Sequence, residues 1–235
     1  MSRYERQLPI VREEGQRRLC RSSVAVVGCG GLGTTVATML SEAGVGKIIL
    51  IDKDTPCESN FNRQFVYRSG DTAPKSELLG KWVVGLNPET SVDVRCCDFR
   101  DTDFSCDVIV DCLDSVKGRL DLSDLAFSKN IPLIHAAVGS AEGQLCVCIP
   151  GETPCLRCMI GYQKEYNGTK PSLGAVVSSV AAMEAVETIR FIIGETSPAR
   201  GALVTFDFLS YSVDITKISS DSHCPFCSRR MHKTE

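Results

Sequence analysis

Gly28-Cys29-Gly30-Gly31-Leu32-Gly33 follows the apolar run Val24-Ala25-Val26-Val27 and precedes a helix-like stretch, Thr34 to Ala43. Three glycines at G-x-G-x-x-G spacing permit a tight turn after a strand, a close backbone approach to a phosphate, and a helix N-terminus aimed at its negative charge. The loop therefore predicts a bound nucleotide. A second strand, Ile48 to Ile51, ends at Asp52, 19 residues after Gly33, where an acid that binds ribose belongs. Alone, these features point to a nicotinamide-dependent dehydrogenase; the residues that follow argue against it.

Outward from the loop, strand-like segments recur at 23–28, 47–52, 91–96, 107–112 and 132–136, separated by helical stretches at 32–44, 74–86 and 117–129. That alternation predicts a parallel sheet covered by helices. Beyond Gly139 the pattern changes: 144–149 is strand-like, 161–171 is polar with Gly and Pro, 173–193 is a long helix, and 202–208 with 211–217 reads as a hairpin. A turn as short as Leu209-Ser210 joins only antiparallel strands. The expected fold is α/β, a Rossmann-like mixed sheet with a parallel N-terminal part, an antiparallel C-terminal extension and helices on both faces. With no internal repeat, low-complexity tract or long linker, residues 1–235 are expected to form a single domain. It would comprise a helical arm at 1–22, a nucleotide-binding half at 23–139, and a second half at 140–235 holding the polar crossover segment, the long helix, the hairpin and the tail.

Between the second strand and the next helix, Asp54 to Lys75 is longer than a dinucleotide unit needs. It holds Ser59-Asn60-Phe61-Asn62-Arg63-Gln64 and then Ala73-Pro74-Lys75. Arg63 offers a planar fork of donors matched to phosphate oxygens and Lys75 a mobile point charge, a pair that suits a triphosphate better than a nicotinamide. Asp111 and Asp114 flank the end of the fourth strand, where ligands of open α/β sheets gather. A carboxylate beside phosphates is best explained as a magnesium ligand, and Asp114 takes that role, with Asp111 read as a loop or cap acid.

Composition narrows the partners. Net charge is −3 and 43% of residues are hydrophobic. No basic run interleaved with aromatics points to nucleic acid. No apolar stretch approaches the roughly 20 residues that span a bilayer, and the charged start Met1-Ser2-Arg3-Tyr4-Glu5-Arg6-Gln7 is no signal peptide. A soluble, cytoplasmic protein is expected. Of thirteen cysteines, Cys20, Cys29, Cys57, Cys96, Cys97, Cys106, Cys112, Cys146 and Cys148 read as small buried hydrophobes. Cys155-Leu156-Arg157-Cys158 and Cys224-Pro225-Phe226-Cys227 are C-x-x-C pairs 65 residues apart, a pattern suited to a tetrahedral structural Zn²⁺ that staples the tail to the domain. A redox pair needs only one such motif, so two together favour zinc over a redox pair or a disulfide. His223 and His232 are left out of the ligand set.

Taken together, the chain resembles the ubiquitin-activating-like adenylyltransferase family of ThiF, MoeB and HesA. The resemblance covers essentially the whole chain. It rests on Arg3-Tyr4-Glu5-Arg6-Gln7, the glycine loop, Leu50-Ile51-Asp52-Lys53-Asp54, Ser59 to Gln64, Pro74-Lys75, Asp111-Cys112-Leu113-Asp114, Glu142-Gly143-Gln144, both cysteine pairs, and Ala182-Met183-Glu184-Ala185. It implies ATP and Mg²⁺ as cofactors, with Asp52 on the ribose, Asn60, Arg63 and Lys75 around the phosphates, and Asp114 at the metal. Gly28, Gly30, Gly31, Gly33, Asp54, Ser59, Gln64 and Ser115 complete the expected nucleotide site. A homodimer is implied as well, in which Arg6 of one arm reaches the partner's phosphates and joins Arg63, Lys75 and Asp114 as a catalytic group. The implied reaction is attack of a substrate carboxylate on the α-phosphate of ATP, giving an acyl-adenylate and pyrophosphate.

Two departures from the family pattern stand out. Members that continue to a thioester or persulfide carry a cysteine between the first C-x-x-C pair and the long helix, whereas no cysteine occurs from Met159 to His223. The enzyme is therefore expected to stop at the adenylate and to hand the acyl group to a separate protein. Ser115 stands where relatives often have Asn, which leaves the magnesium role intact. The family's usual substrate is the C-terminal Gly-Gly of a small ubiquitin-like sulfur carrier. The missing cysteine brings forward a small-molecule carboxylate, as in the HcgE type, which activates a pyridinol carboxylate for the iron-guanylylpyridinol cofactor of [Fe]-hydrogenase. A nicotinamide oxidoreductase and a catalytically silent zinc scaffold are the readings from other classes; the first leaves Arg6, Arg63 and Lys75 unexplained.

Overall fold

A computed structural model describes residues 3–161, 163 and 171–228. Most of the expected polar crossover segment, and His232, lie outside them. Eight strands form one sheet in the order β3-β2-β1-β4-β5-β6-β7-β8. The parallel part comprises β1 (Ser23–Val27), β2 (Lys47–Ile51), β3 (Ser91–Arg95), β4 (Val108–Asp111) and β5 (Leu133–Gly139). From β5 onward β6 (Glu142–Cys148), β7 (Ala202–Asp207) and β8 (Ser212–Lys217) pair antiparallel, so the mixed sheet expected from the sequence is the one found.

Strand alternation builds two cores. Val24, Val26, Ile48, Leu50, Val108, Val110 and Ile134 face one side. Ala25, Val27, Ile49, Ile51, Ile109 and Leu133 face the other. Side chains of successive strand residues point to opposite faces, so strands covered on both sides read as continuous apolar runs rather than alternating ones. The first core is covered by α1 (Leu8–Arg21), α2 (Gly31–Glu42), α3 (Lys75–Leu86) and the long α6 (Gly174–Ile193), through residues such as Leu19, Val36, Leu79 and Val180. The second is covered by α4 (Val116–Ser128) and a short α5 (Leu156–Ile160), through Leu122, Ala126, Leu156 and Ile160. Burying a side chain of this size contributes about 1.5–3 kcal/mol relative to exposure.

Several local expectations are corrected. The β7–β8 connection runs from Phe208 to Tyr211, not only Leu209-Ser210, because Asp207 accepts main-chain N–H bonds from Leu209 and Ser210 and shapes a wider turn. α5 was not anticipated, being too short for a periodic signal. The nine single cysteines are not uniformly buried: Cys29, Cys112, Cys146 and Cys148 are, Cys97 and Cys106 are half-buried, and Cys20, Cys57 and Cys96 are exposed. Cys20 is on the outward side of the last turn of α1, Cys57 is in the loop after β2, and Cys96 directly follows β3.

Candidate functional site

The chain leaves β1 for β2 and β3 on one side of the sheet and crosses back to β4 and β5 on the other, so β1 and β4 mark the point where strand order reverses. Ligands of open α/β sheets bind outside the carboxyl ends of the strands at such a point. There a cleft of about 650 Å³ opens, within the range typical of ligand pockets.

Its floor is the glycine loop. Gly28 has φ +97°, and a Cβ on it would lie 2.6 Å from the Cys112 carbonyl oxygen at the end of β4. Gly33 packs α2 onto the loop so closely that a Cβ would come within 1.9 Å of the Gly28 carbonyl oxygen. Gly30 precedes α2, whose first main-chain N–H groups face the cleft with the positive end of the helix dipole. Asp52 follows β2 and accepts the N–H of Cys29 at 2.7 Å and of Asp54 at 2.8 Å, so it braces the loop as well as lining the cleft. Burial raises its pKa against those two hydrogen bonds. Tyr67, which the sequence reading passed over, donates to the carbonyls of Cys29 at 2.6 Å and Lys75 at 3.3 Å and ties loop to α3.

The segment from Asp54 to Lys75 folds over one wall. Arg63 lines the cleft with Nη1 donating to Ser59 O and Asn62 Oδ1, both at 2.8 Å. Lys75, at the start of α3, is buried with Nζ 3.6 Å from Asp54 Oδ2. Asn60 and Gln64 also line the cleft, although Asn60 spends its Oδ1 on the N–H of Cys57 at 3.1 Å. Opposite stand Asp114 and Ser115, the latter capping α4 by accepting the N–H of Gly118 at 3.1 Å. Of the expected site residues, the cleft thus gathers Gly28, Gly30, Gly31, Asp52, Asp54, Asn60, Arg63, Gln64, Lys75, Asp114 and Ser115.

Three expected residues stand outside its lining. Gly33 acts beneath it through packing, and Ser59 supplies only its carbonyl to Arg63. Arg6 belongs to an arm fastened elsewhere: Gln7 donates to the Ala43 carbonyl at 2.8 Å and Tyr4 to Glu89 at 2.9 Å, both before strands begin, at the opposite end of the sheet. Asp111 departs in part from its expected role. It is the last residue of β4 and fully buried; Oδ1 does cap the following loop by accepting the N–H of Leu113 at 3.1 Å, but Oδ2 lies 2.8 Å from His135 Nδ1 on β5, a partner the sequence reading did not foresee.

Around Asp111 lies a polar cluster that sequence reasoning missed. Arg119 of α4 donates Nε to the Leu113 carbonyl at 2.9 Å and thereby holds the loop carrying Asp114. Glu184 of α6 is fully buried, accepts from Cys112 Sγ at 3.7 Å, and leaves Oε1 without a partner among the described residues. Burial, with Asp111 nearby, pushes its carboxyl well above the ordinary range. Glu184 and Gln144 fall in stretches that carry the family resemblance, but nothing in one dimension shows that they meet.

A second groove, of about 750 Å³, lies over β5 to β8. It shares Arg119, Val138 and Pro171 with the cleft, so the two adjoin. Gln144 lines it, together with Glu142, Asp207 and Asp214.

At the far end of the sheet, the sulfurs of Cys155, Cys158, Cys224 and Cys227 lie within 4.8 Å of one another and could hold a metal ion. Cys155 Sγ is 3.8 Å from Cys158 Sγ and 3.4 Å from Cys224 Sγ, near the ~3.8 Å edge of a tetrahedron with 2.3 Å metal–sulfur bonds. Main-chain N–H groups of Cys155 and Asp221 point at Cys227 Sγ and Cys158 Sγ. Burial raises the Cys155 thiol and pushes Cys158 up to about 11, whereas Cys224, against its own burial, is held below its ordinary value by the N–H groups of Phe226 and Cys227.

A glycine loop at the switch point, a helix N-terminus and a cleft flanked by Arg63, Lys75 and Asp114 define a nucleotide-binding α/β protein of the Rossmann-like class. The ThiF family model matches residues 4–226. The chain is 32% identical over 241 residues to the SAMP-activating enzyme E1 of Haloferax volcanii, covering 97% of this chain and 88% of that one. With the sulfur carrier protein ThiS adenylyltransferase of Escherichia coli it shares 33% identity over 237 residues, 96% and 94% of the two chains. Its fold is similar to that of Escherichia coli MccB solved with ATP, at a TM-score of 0.85 and 21% identity, over 97% of this chain and 74% of that one. The chain belongs to the ThiF family and is an adenylyltransferase. No helix among the described residues is long and apolar enough to cross a membrane.

Proposed function

We propose that the protein binds ATP with Mg²⁺ and activates the C-terminal Gly-Gly carboxylate of a small ubiquitin-like sulfur carrier as an acyl-adenylate, releasing pyrophosphate. The observation that supports this reading is that the two cavities adjoin at Arg119, so that an extended peptide lying in the groove would end beside a nucleotide held in the cleft. The names of the two relatives above, an enzyme activating SAMP and one adenylylating ThiS, support a carrier over a small-molecule acid.

In this reading the α2 N-terminus and glycine loop hold phosphate oxygens, Asp52 receives the ribose hydroxyls, and Arg63 and Lys75 neutralise the triphosphate. Asp114 would hold Mg²⁺, which supplies charge neutralisation on the phosphates. Little covalent chemistry is asked of the chain. Holding carboxylate and α-phosphate in line and stabilising the departing pyrophosphate supplies most of the acceleration. Cys155, Cys158, Cys224 and Cys227 would hold a structural Zn²⁺ far from the reacting atoms. With no cysteine between Met159 and His223, the acyl group passes to a separate protein. A homodimer would bring Arg6 to the partner's site.

ATP–pyrophosphate exchange tests the reading. Exchange should depend on a carrier ending in Gly-Gly, and Lys75→Ala and Asp114→Ala should each lower it at least a hundredfold, the scale of losing one preorganised charge-stabilising group. Exchange supported by aromatic carboxylic acids but not by carriers would reject the carrier; exchange indifferent to both substitutions would reject the site.

A further inference from the structure

We infer that Gln144 is a specificity-determining residue for the carboxylate substrate, with its amide held by His135 and Asp111 so that Oε1 accepts a main-chain N–H from the substrate's extended carboxyl-terminal segment. The inference rests on the adenylation reading above. The chain of donors and acceptors starts in the core. Asp111 and His135 have no solvent exposure, and Asp111 Oδ2 accepts from His135 Nδ1 at 2.8 Å. Burial keeps the imidazole below its ordinary pKa although Asp111 opposes it, so the ring is neutral and Nε2 carries a lone pair. Gln144 Nε2 lies 3.1 Å from that nitrogen and donates to it. Oε1 is then turned outward, where Gln163 Nε2 donates to it at 2.9 Å.

An amide is nearly symmetric in shape, and only its partners decide which end is oxygen. Here a buried carboxylate decides, through a ring whose tautomer it sets, that the groove is offered an acceptor. Gln144 sits mid-strand in β6, paired to both Ala137 of β5 and Thr205 of β7, so its main chain is fixed. The groove is polarised around it. Arg119 stands at the junction with the nucleotide cleft, whereas the carboxylates of Glu142, Asp207 and Asp214 line the groove alone. A peptide whose carboxylate points at Arg119 runs along this gradient with its N–H groups over Gln144, one of them taking the place of the Gln163 donor.

The test is pyrophosphate exchange with a Gly-Gly carrier, reading KM for carrier and for ATP separately. Gln144→Ala and Gln144→Met, the second keeping length without either polar atom, should raise the carrier KM about five- to tenfold, the scale of one neutral hydrogen bond, with the ATP KM unchanged. Asp111→Asn should do the same with Gln144 intact. With its oxygen held by the N–H of Leu113, as Asp111 Oδ1 is, its NH₂ would face Nδ1 and move the ring proton to Nε2, turning Gln144 around so that it offers a donor. The Asp111→Asn/Gln144→Ala double variant should be no worse than the worse single variant, because both act through one contact. An unchanged carrier KM in both Gln144 variants, or an ATP KM that rises in step, overturns the assignment. Absence of exchange with every carrier in the unsubstituted enzyme overturns the adenylation reading itself and this assignment with it.

Discussion

A Cβ on Gly33 would lie 1.9 Å from the Gly28 carbonyl oxygen, and that atom belongs to the main chain of the loop and cannot swing aside. Gly33→Ala must therefore pry α2 from the loop, at a cost of about 3 kcal/mol or more, which in a chain of this size lowers Tm by roughly 6–12 °C; an unshifted Tm would show that the loop and helix are not locked as described. Glu184 offers a residue-scale prediction of another kind. Its folded pKa lies well above the ordinary value of 4.5, so above that pH the unfolded chain gives up a proton that the folded chain keeps. Folding stability is thus full below pH 4.5 and falls as pH rises toward the folded pKa, by up to about 1.4 kcal/mol per pH unit. Glu184→Gln should flatten this fall, seen as a variant that gains on the parent between denaturant midpoints at pH 5 and pH 8; parallel curves would mean that Glu184 ionises normally. The position of Arg63 and Lys75 beside the cleft was legible, because both follow on the strand that leads into Asp52. The cluster of Asp111, His135, Gln144 and Glu184 was not, because its members come from β4, β5, β6 and α6 and meet only after the sheet has formed.

Among elements, the strands and helices of the nucleotide half were legible because apolar runs and helical stretches alternate, and each is long enough to show its period. α5 was not, since five residues carry no period. Nor was the exposure of the cysteines, since Cys looks the same in a core, on the outer side of a helix such as Cys20 in α1, and in a loop. The four knuckle cysteines were legible by spacing alone, and their geometry fits one tetrahedral ion. They join the tail to α5 at the amino end of the parallel strands, and none lines the cleft. Among the described residues of the tail, Phe226 also packs edge-on to Phe127 with centroids 6.3 Å apart. Purified protein is expected to carry one Zn²⁺ per chain. Stripping it with a chelator should lower Tm by several degrees while leaving the KM for ATP in exchange at 25 °C within about twofold, since a structural site stabilises the fold without touching the reacting atoms. A metal content near zero in fully reduced protein, or an ATP KM that collapses on chelation, would contradict this.

For the whole molecule the question is Arg6, which the sequence reading places at the phosphates of a partner and the fold places at the opposite end of the sheet from its own chain's cleft. Its neighbours Tyr4 and Gln7 are fastened beside Glu89 and Ala43, before β3 and β2 begin, whereas the cleft opens after those strands end. Five strand residues span about 16 Å, farther than an arginine side chain extends. If Arg6 acts at a nucleotide site, the site is a second copy's. A two-fold dimer makes this testable, since each arm would then serve the other protomer. Arg6→Ala and Lys75→Ala homodimers should each be nearly inactive in exchange. A mixed dimer of the two has one site with both defects and one with neither, because the intact arm of the Lys75→Ala chain serves the intact cleft of the Arg6→Ala chain. Random reassortment makes about half the dimers mixed, each with one good site of two, so activity should recover to about a quarter of the unsubstituted enzyme. A mixture no more active than the average of its components would place Arg6 outside the site, and the arm would then be read as a clasp on α2 and α3 alone.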